Sequence, residues 1–160
     1  MIAAHTPAMN NNEKILSDVL PFSWQHWPCQ RCGSGREYNT WYEKDAVLYD
    51  MTQTAGGSPV MLSISQAGFR SANMVISSLT PGKCPAQPRA LEINSDIIPA
   101  DYFCTQQGSE KIEHYLVRDA DKVNALVEKL RSDFTLMSQK EIKVWAANIK
   151  SPKHGIAPRF

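Results

Sequence analysis

The run Val47-Leu48-Tyr49-Asp50-Met51-Thr52-Gln53, then Gly56-Gly57-Ser58-Pro59, then Val60-Met61-Leu62-Ser63-Ile64-Ser65, decides the fold. Val47, Tyr49 and Met51 alternate with Leu48, Asp50 and Thr52, and Val60, Leu62 and Ile64 alternate with Met61, Ser63 and Ser65. A period of two sends successive side chains to opposite faces of an extended chain, and the Gly-Gly-Ser-Pro cluster supplies the reversal, so the two runs read as a hairpin. Asn73 to Leu79 adds a third strand after the Ala67-Gly68-Phe69-Arg70 turn, and Thr80-Pro81-Gly82 ends it. The expectation is an antiparallel meander with one solvated, Ser- and Thr-rich face.

Downstream, Arg89 to Asn94 and Ala100 to Gln106 read as shorter strands joined by an Asp96 to Pro99 connection. Glu110 to Val117 has mixed faces, with Ile112, His114 and Leu116 opposite Lys111, Glu113, Tyr115 and Val117, which predicts an edge strand. Asp119 to Ser132 changes to helical spacing: Val123, Leu126, Val127 and Leu130 form one stripe, with acidic residues in the first turn and basic residues in the last. Phe134 to Met137 and Glu141 to Ile149 read as a closing hairpin. Upstream, Ile15, Leu16, Val19 and Leu20 share a helical face between an Asn cap and Pro21, predicting a short N-terminal helix. The fold class is therefore α+β: a mostly antiparallel β-sheet of about six to eight strands, one packed helix in the C-terminal half and a short N-terminal helix. Residues 1–11 are expected to be a flexible segment, 12–151 a single domain and 152–160 a tail.

The four cysteines limit the special chemistry. A Cys84 to Cys104 bridge would staple the β-rich part of the chain, and Cys29 and Cys32 are close enough to pair locally; crossed pairings remain open from sequence. The rival is structural zinc on Cys29-Gln30-Arg31-Cys32-Gly33, which has the spacing of a zinc knuckle but lacks a second CxxC. A redox dithiol is disfavoured, because Pro28 and Gly33-Ser34-Gly35 flank the pair instead of a helix start.

Three of the four tryptophans lie between Phe22 and Tyr42. Anchored aromatics make good contact residues, so Trp24, Trp27, Trp41 and Tyr42 are the candidate partner-binding residues, Trp24 and Trp41 foremost. Core packing is the competing reading for the same side chains. For catalysis, His114 beside Glu113 and Tyr115 is the one histidine expected to be structurally fixed, and no nucleophile elbow, zinc-protease, phosphate-loop or dinucleotide motif accompanies it.

The chain has 160 residues, 42% hydrophobic and 21% charged, and a formal charge of +1, which is globular in composition and gives no net field for nucleic acid. No apolar run approaches the roughly 20 residues of a membrane-spanning helix. Residues 1 to 12 lack the basic start and apolar core of a secretory signal. The element order over residues 45 to 150, together with Tyr102-Phe103-Cys104, resembles small periplasmic β proteins of the invasion-associated locus B type. No functional residue is carried over from that resemblance.

These features together predict a non-enzymatic binding, inhibitory or accessory protein of the bacterial periplasm or cell exterior, disulfide-stabilised, with a protein partner and no cofactor. A cytosolic adaptor with zinc on Cys29 and Cys32 is the first alternative, and it places the protein in the cytoplasm if its cysteines are reduced. An enzyme with a site assembled near His114 is the second.

Overall fold

A computed structural model describes residues 37–155 and 160, all within the unit Ser34–Phe160. The expected N-terminal helix, Cys29, Cys32, Trp24 and Trp27 lie outside the described residues. Eleven strands and one helix follow in the order β1 (Tyr42–Lys44), β2 (Val47–Gln53), β3 (Pro59–Ser65), β4 (Asn73–Pro81), β5 (Leu91–Ile93), β6 (Asp96–Ile98), β7 (Asp101–Gln107), β8 (Glu110–Val117), α1 (Ala120–Arg131), β9 (Leu136–Ser138), β10 (Ile142–Val144) and β11 (Lys153–His154). No helix among the described residues is long and apolar enough to cross a membrane.

The strands form two sheets. The larger has seven strands in the order β11-β1-β2-β3-β4-β8-β7, antiparallel throughout except where β11 lies parallel to β1. The meander is at its centre, with Leu62 opposite both Asp50 and Ile76. Leu48, Val60, Leu62, Ile64, Met74 and Ile76 are buried on one face, as the alternation requires. The other face is neither as polar nor as solvated as expected: Met61, Val75 and Leu79 accompany Ser63 and Ser77 on it, and Met51 and Ser77 there are buried.

Four features depart from the sequence expectation. The smaller sheet, β10-β9-β5-β6, is a second layer rather than an extension of the first. Asp96 to Ile98 is a strand, paired with β5 through Asn94 and Ser95, both at positive φ. Two left-handed residues in succession make the tight hairpin turn that suits twisted strands, here without a glycine to announce it. Strand β8 is interior, because β7 pairs on its outer side. Lys153 and His154, expected within a loop-like tail, pair with Tyr42 and Glu43.

Helix α1 begins at Asp119, whose carboxylate accepts from the N–H groups of Asp121 (3.1 Å) and Lys122 (3.2 Å), a cap that satisfies donors the first turn leaves free. It buries Val123, Leu126, Val127 and Leu130 in the common core. Asn124 fastens it to the β3–β4 turn, accepting from Gly68 N–H (2.8 Å) and donating to Phe69 O (3.0 Å). Leu126→Ala is expected to cost about 2 to 3 kcal/mol, against less than about 0.5 for exposed Lys122→Ala. Urea denaturation of the two variants checks the assignment of the buried face, and equal costs would reverse it.

Candidate functional site

Cys84 and Cys104 are disulfide-bonded, with their Cα atoms 5.8 Å apart. The geometry differs from a bridge between neighbouring strands, because β8 lies between β4 and β7. Cys84 sits in the loop after β4, and that loop turns over the start of β8 to reach Cys104 on β7. Gly82 N–H donates to Ser109 O (2.9 Å), Gln106 Nε2 donates to Gly82 O (3.0 Å), and Cys84 N–H donates to Gln106 Oε1 (3.0 Å). The bridge closes a separation of 20 residues, so converting both cysteines to Ser should lower stability by about 3 kcal/mol in the chain-entropy picture. A loss under about 0.5 kcal/mol in guanidinium titration would show that the hydrogen bonds alone hold the loop.

The loop so fastened forms one wall of a cavity of about 230 Å³ between the sheets. Its floor is the inner face of the larger sheet, with Ile76, Ser78 and Thr80 from β4 and Lys111, Glu113 and Tyr115 from β8. Pro85 and Arg89 come from the loop, and Ser138, Gln139, Glu141 and Ile142 from the β9–β10 hairpin.

The polar groups inside divide into those that are matched and those that are not. Lys111 Nζ lies 2.8 Å from Glu113 Oε2, and Tyr102 OH donates to Glu113 Oε1 at 2.8 Å. Burial pushes the Glu113 carboxyl up, but the Lys111 and Tyr102 hydrogen bonds and the charges of Lys111 and Arg89 outweigh it and hold the pKa below the ordinary carboxylate value. Tyr102, partly desolvated and facing that carboxylate, is pushed well above the usual phenol range. Tyr115 OH donates to Arg89 O at 3.0 Å, holding the loop against β8. Thr80 Oγ1 and Ser138 Oγ, in contrast, are buried with no hydrogen-bond partner, and Ser138 is only 1% exposed. Thr54 and Glu141 also border a shallower groove of about 520 Å³, walled by Tyr38, Lys143 and Trp145.

The residues singled out from sequence are dispersed. Trp41 is 0% exposed, so it presents no surface to a partner; it is a core residue, and its indole N–H donates to Trp145 O at 2.9 Å. Tyr42 is half-buried beside β11, with its hydroxyl on Glu37 and the Lys153 ammonium 5.8 Å from its ring centre. His114 is separated from its sequence neighbours by the pleat. It shares the outer face with Ser77, whose Oγ is 2.7 Å from Nδ1, while Glu113 and Tyr115 line the cavity on the inner face. Desolvation lowers the His114 pKa.

No three His, Cys, Asp or Glu side chains gather as metal ligands among the described residues. Cys84 and Cys104 are bonded to each other and are not available as thiolates for a four-cysteine site. Lys111, Tyr102, Thr80, Ser138 and Arg89 were not picked out by sequence, and Glu113 was considered only as a neighbour of His114, from which the pleat separates it. The one signal was the period-two set Lys111, Glu113 and Tyr115, a polar face that turns inward instead of toward solvent. No family model, curated protein or solved structure matches the chain.

Proposed function

We propose that this chain is a non-enzymatic binding protein of an oxidising compartment outside the cytoplasm, and that its ligand sits in the cavity over Thr80 and Ser138. One observation carries the reading: Thr80 and Ser138, two of the residues lining a cavity whose wall is stapled by a disulfide, carry buried hydroxyls without partners. An unmatched buried polar group costs about 1 to 3 kcal/mol, so a fold shaped for stability alone mates it or replaces it. A ligand that parts the lining as it enters would reach both hydroxyls and supply the missing partners, which explains why they are kept, since binding sites are where stability is given up for function. The bridge supports the compartment, because disulfides persist where thiols are not kept reduced. The outer pair Ser77 and His114 does not favour an enzyme: Ser77 is 2% exposed, and Glu113 is on the opposite face.

Thr80→Val keeps the shape and removes one unmatched hydroxyl. It is expected to raise the stability of the free protein by about 1 kcal/mol. Melting curves against a library of small polar metabolites should show a compound that raises the Tm of the wild type and not of Thr80→Val. A library that shifts neither protein, or shifts both alike, removes the cavity as the ligand seat.

A further inference from the structure

We infer that two copies of this chain pair through the outer edge of β7, antiparallel and about a twofold axis at Cys104, so that their larger sheets join into one. Nothing in this depends on the cavity. Strand β7 ends in the turn Gly108-Ser109, with Gly108 at positive φ and Gln107 opposite Glu110. Residues that flank such a hairpin turn exchange both backbone hydrogen bonds, and the exchange recurs at every second residue. Gln107, Thr105, Phe103 and Asp101 therefore turn their backbone groups toward β8. Tyr102, Cys104 and Gln106 turn theirs the other way, where no described strand lies and no turn or loop backbone bond reaches them. Phe103 is 53% exposed on the outer face beside them.

Unpaired edges invite another strand, and proteins ordinarily blunt them by shortness, by Lys or Pro, or by bulges. The opposite edge of the same sheet is blunted in this way: β11 has two residues, one of them Lys153, and follows Pro152. The edges of the smaller sheet, β10 and β6, have three residues each. Strand β7 has seven residues with no Lys, Arg or Pro among them, and it stays in unbroken register with β8 from Asp101 to Gln107. Its one charged residue, Asp101, stands at its start and is paired with Arg118 (Nε to Oδ2 2.6 Å).

The partner that fits is a second copy, because this edge is complementary to itself. An axis at Cys104 sets Tyr102 opposite Gln106 and Cys104 opposite its own copy, so every outward N–H and C=O finds a partner. An axis at Phe103 leaves Gln106 without one, an axis at Thr105 leaves Tyr102 without one, and an axis between residues sets outward groups against inward ones. The side chains agree with the same register. Phe103 faces Thr105 and Asp101 faces Gln107, so no like charges meet, and the two Phe103 rings lie diagonally across the axis within aromatic reach. Cys104 is held in its bridge to Cys84, so the pairing is noncovalent. The contact is isologous and closes at two copies.

The test is sedimentation velocity and amide hydrogen exchange of the full chain from about 10 µM to about 1 mM, a range that brackets the affinity of an interface this small. A reversible dimer is expected, with exchange at the Tyr102, Cys104 and Gln106 amides slowed by about threefold or more at the high concentration. Phe103→Lys puts a cation beside the axis on each copy and should weaken the dimer by about tenfold or more. Thr105→Lys, at a second exposed outer-face position, should act alike, whereas Phe69→Lys, at a ring 62% exposed on the β3–β4 turn, should leave the dimer unchanged. Melting curves establish that each variant is folded. A monomer throughout the range overturns the inference, as does a dimer that leaves those three amides unprotected or that neither edge variant weakens.

Discussion

Asp50→Asn is expected to stabilise the protein by about 4 kcal/mol at pH 8 and to leave its stability near that of the wild type at pH 4. Asp50 is 0% exposed on the inner face of β2, and neither carboxylate oxygen completes a hydrogen bond. Burial raises its pKa to about 7, against a smaller opposing pull from the backbone N–H groups of Thr40 and Met51. In the unfolded chain the same group ionises near pH 3.9. Between those values the folded state holds a proton that the unfolded state has lost, so stability falls as pH rises and levels off above about 7. A shift of about three pH units corresponds to about 4 kcal/mol.

Asn cannot ionise, and it has nearly the same shape and a comparable polar cost, so the difference between variant and wild type isolates this group. The subtraction matters because His114, with its pKa lowered by burial, acts in the opposite sense. Its unfolded form takes up a proton first as pH falls, so its contribution to stability grows with pH through the ordinary histidine range. Urea titrations of both proteins at pH 5 and pH 8 provide the measurement. A difference between variant and wild type that does not change with pH would show that Asp50 is ionised, and compensated, in the folded state.

The parts of the fold that could be read from sequence are those whose burial is one-sided. Along β3, and from Asn73 to Ile76 in β4, a buried apolar residue alternates with a less buried one, whereas β2 buries Asp50, Met51 and Thr52 in succession; in α1 the four buried residues recur at helical spacing. Pattern and tertiary structure agree there because a single face meets the core. The smaller sheet was not legible because β5, β6, β9 and β10 have three residues each, too short for a period to declare itself. Its turns were hidden too: Asn94, Ser95, Gln139 and Lys140 take positive φ without a glycine.

Strand β8 shows a different failure. Polar residues on both faces ordinarily mark an exposed edge. Here Lys111 and Glu113 point inward, where they pair across the cavity floor with side chains only 17% exposed. The same inward polar face that misplaced the strand marks the candidate site. Thr80 and Ser138 had no signature of their own, because a single hydroxyl in a strand is neither a motif nor a periodic feature. They become noticeable only when three elements converge and leave them without partners.

Trp41→Ala is expected to cost about 5 kcal/mol, at the upper end for truncation of a buried aromatic, because packing and hydrogen bonding are lost together. Trp41 precedes β1 and ties the C-terminal segment to it. The Asn148 side chain mimics a neighbouring strand by accepting from Trp41 N–H (2.7 Å) and donating to Trp41 O (3.0 Å), while Lys153 N–H donates to the same carbonyl (2.9 Å) as β11 begins. The indole N–H closes the arrangement on Trp145 O at 2.9 Å. Trp41→Phe preserves most of the volume and removes that donor, so it should cost about 1 to 2 kcal/mol. Asn148→Ala leaves Trp41 in place but strips both backbone groups of their side-chain partner, at a cost of about 2 kcal/mol. A surface anchor makes the opposite forecast, with Trp41→Ala folded and stable and only its partner lost. Guanidinium titration of the three variants separates the two accounts: the order Ala at 41, then Ala at 148, then Phe at 41 establishes a core clasp, and a Trp41→Ala protein within about 0.5 kcal/mol of wild type would return this residue to the surface.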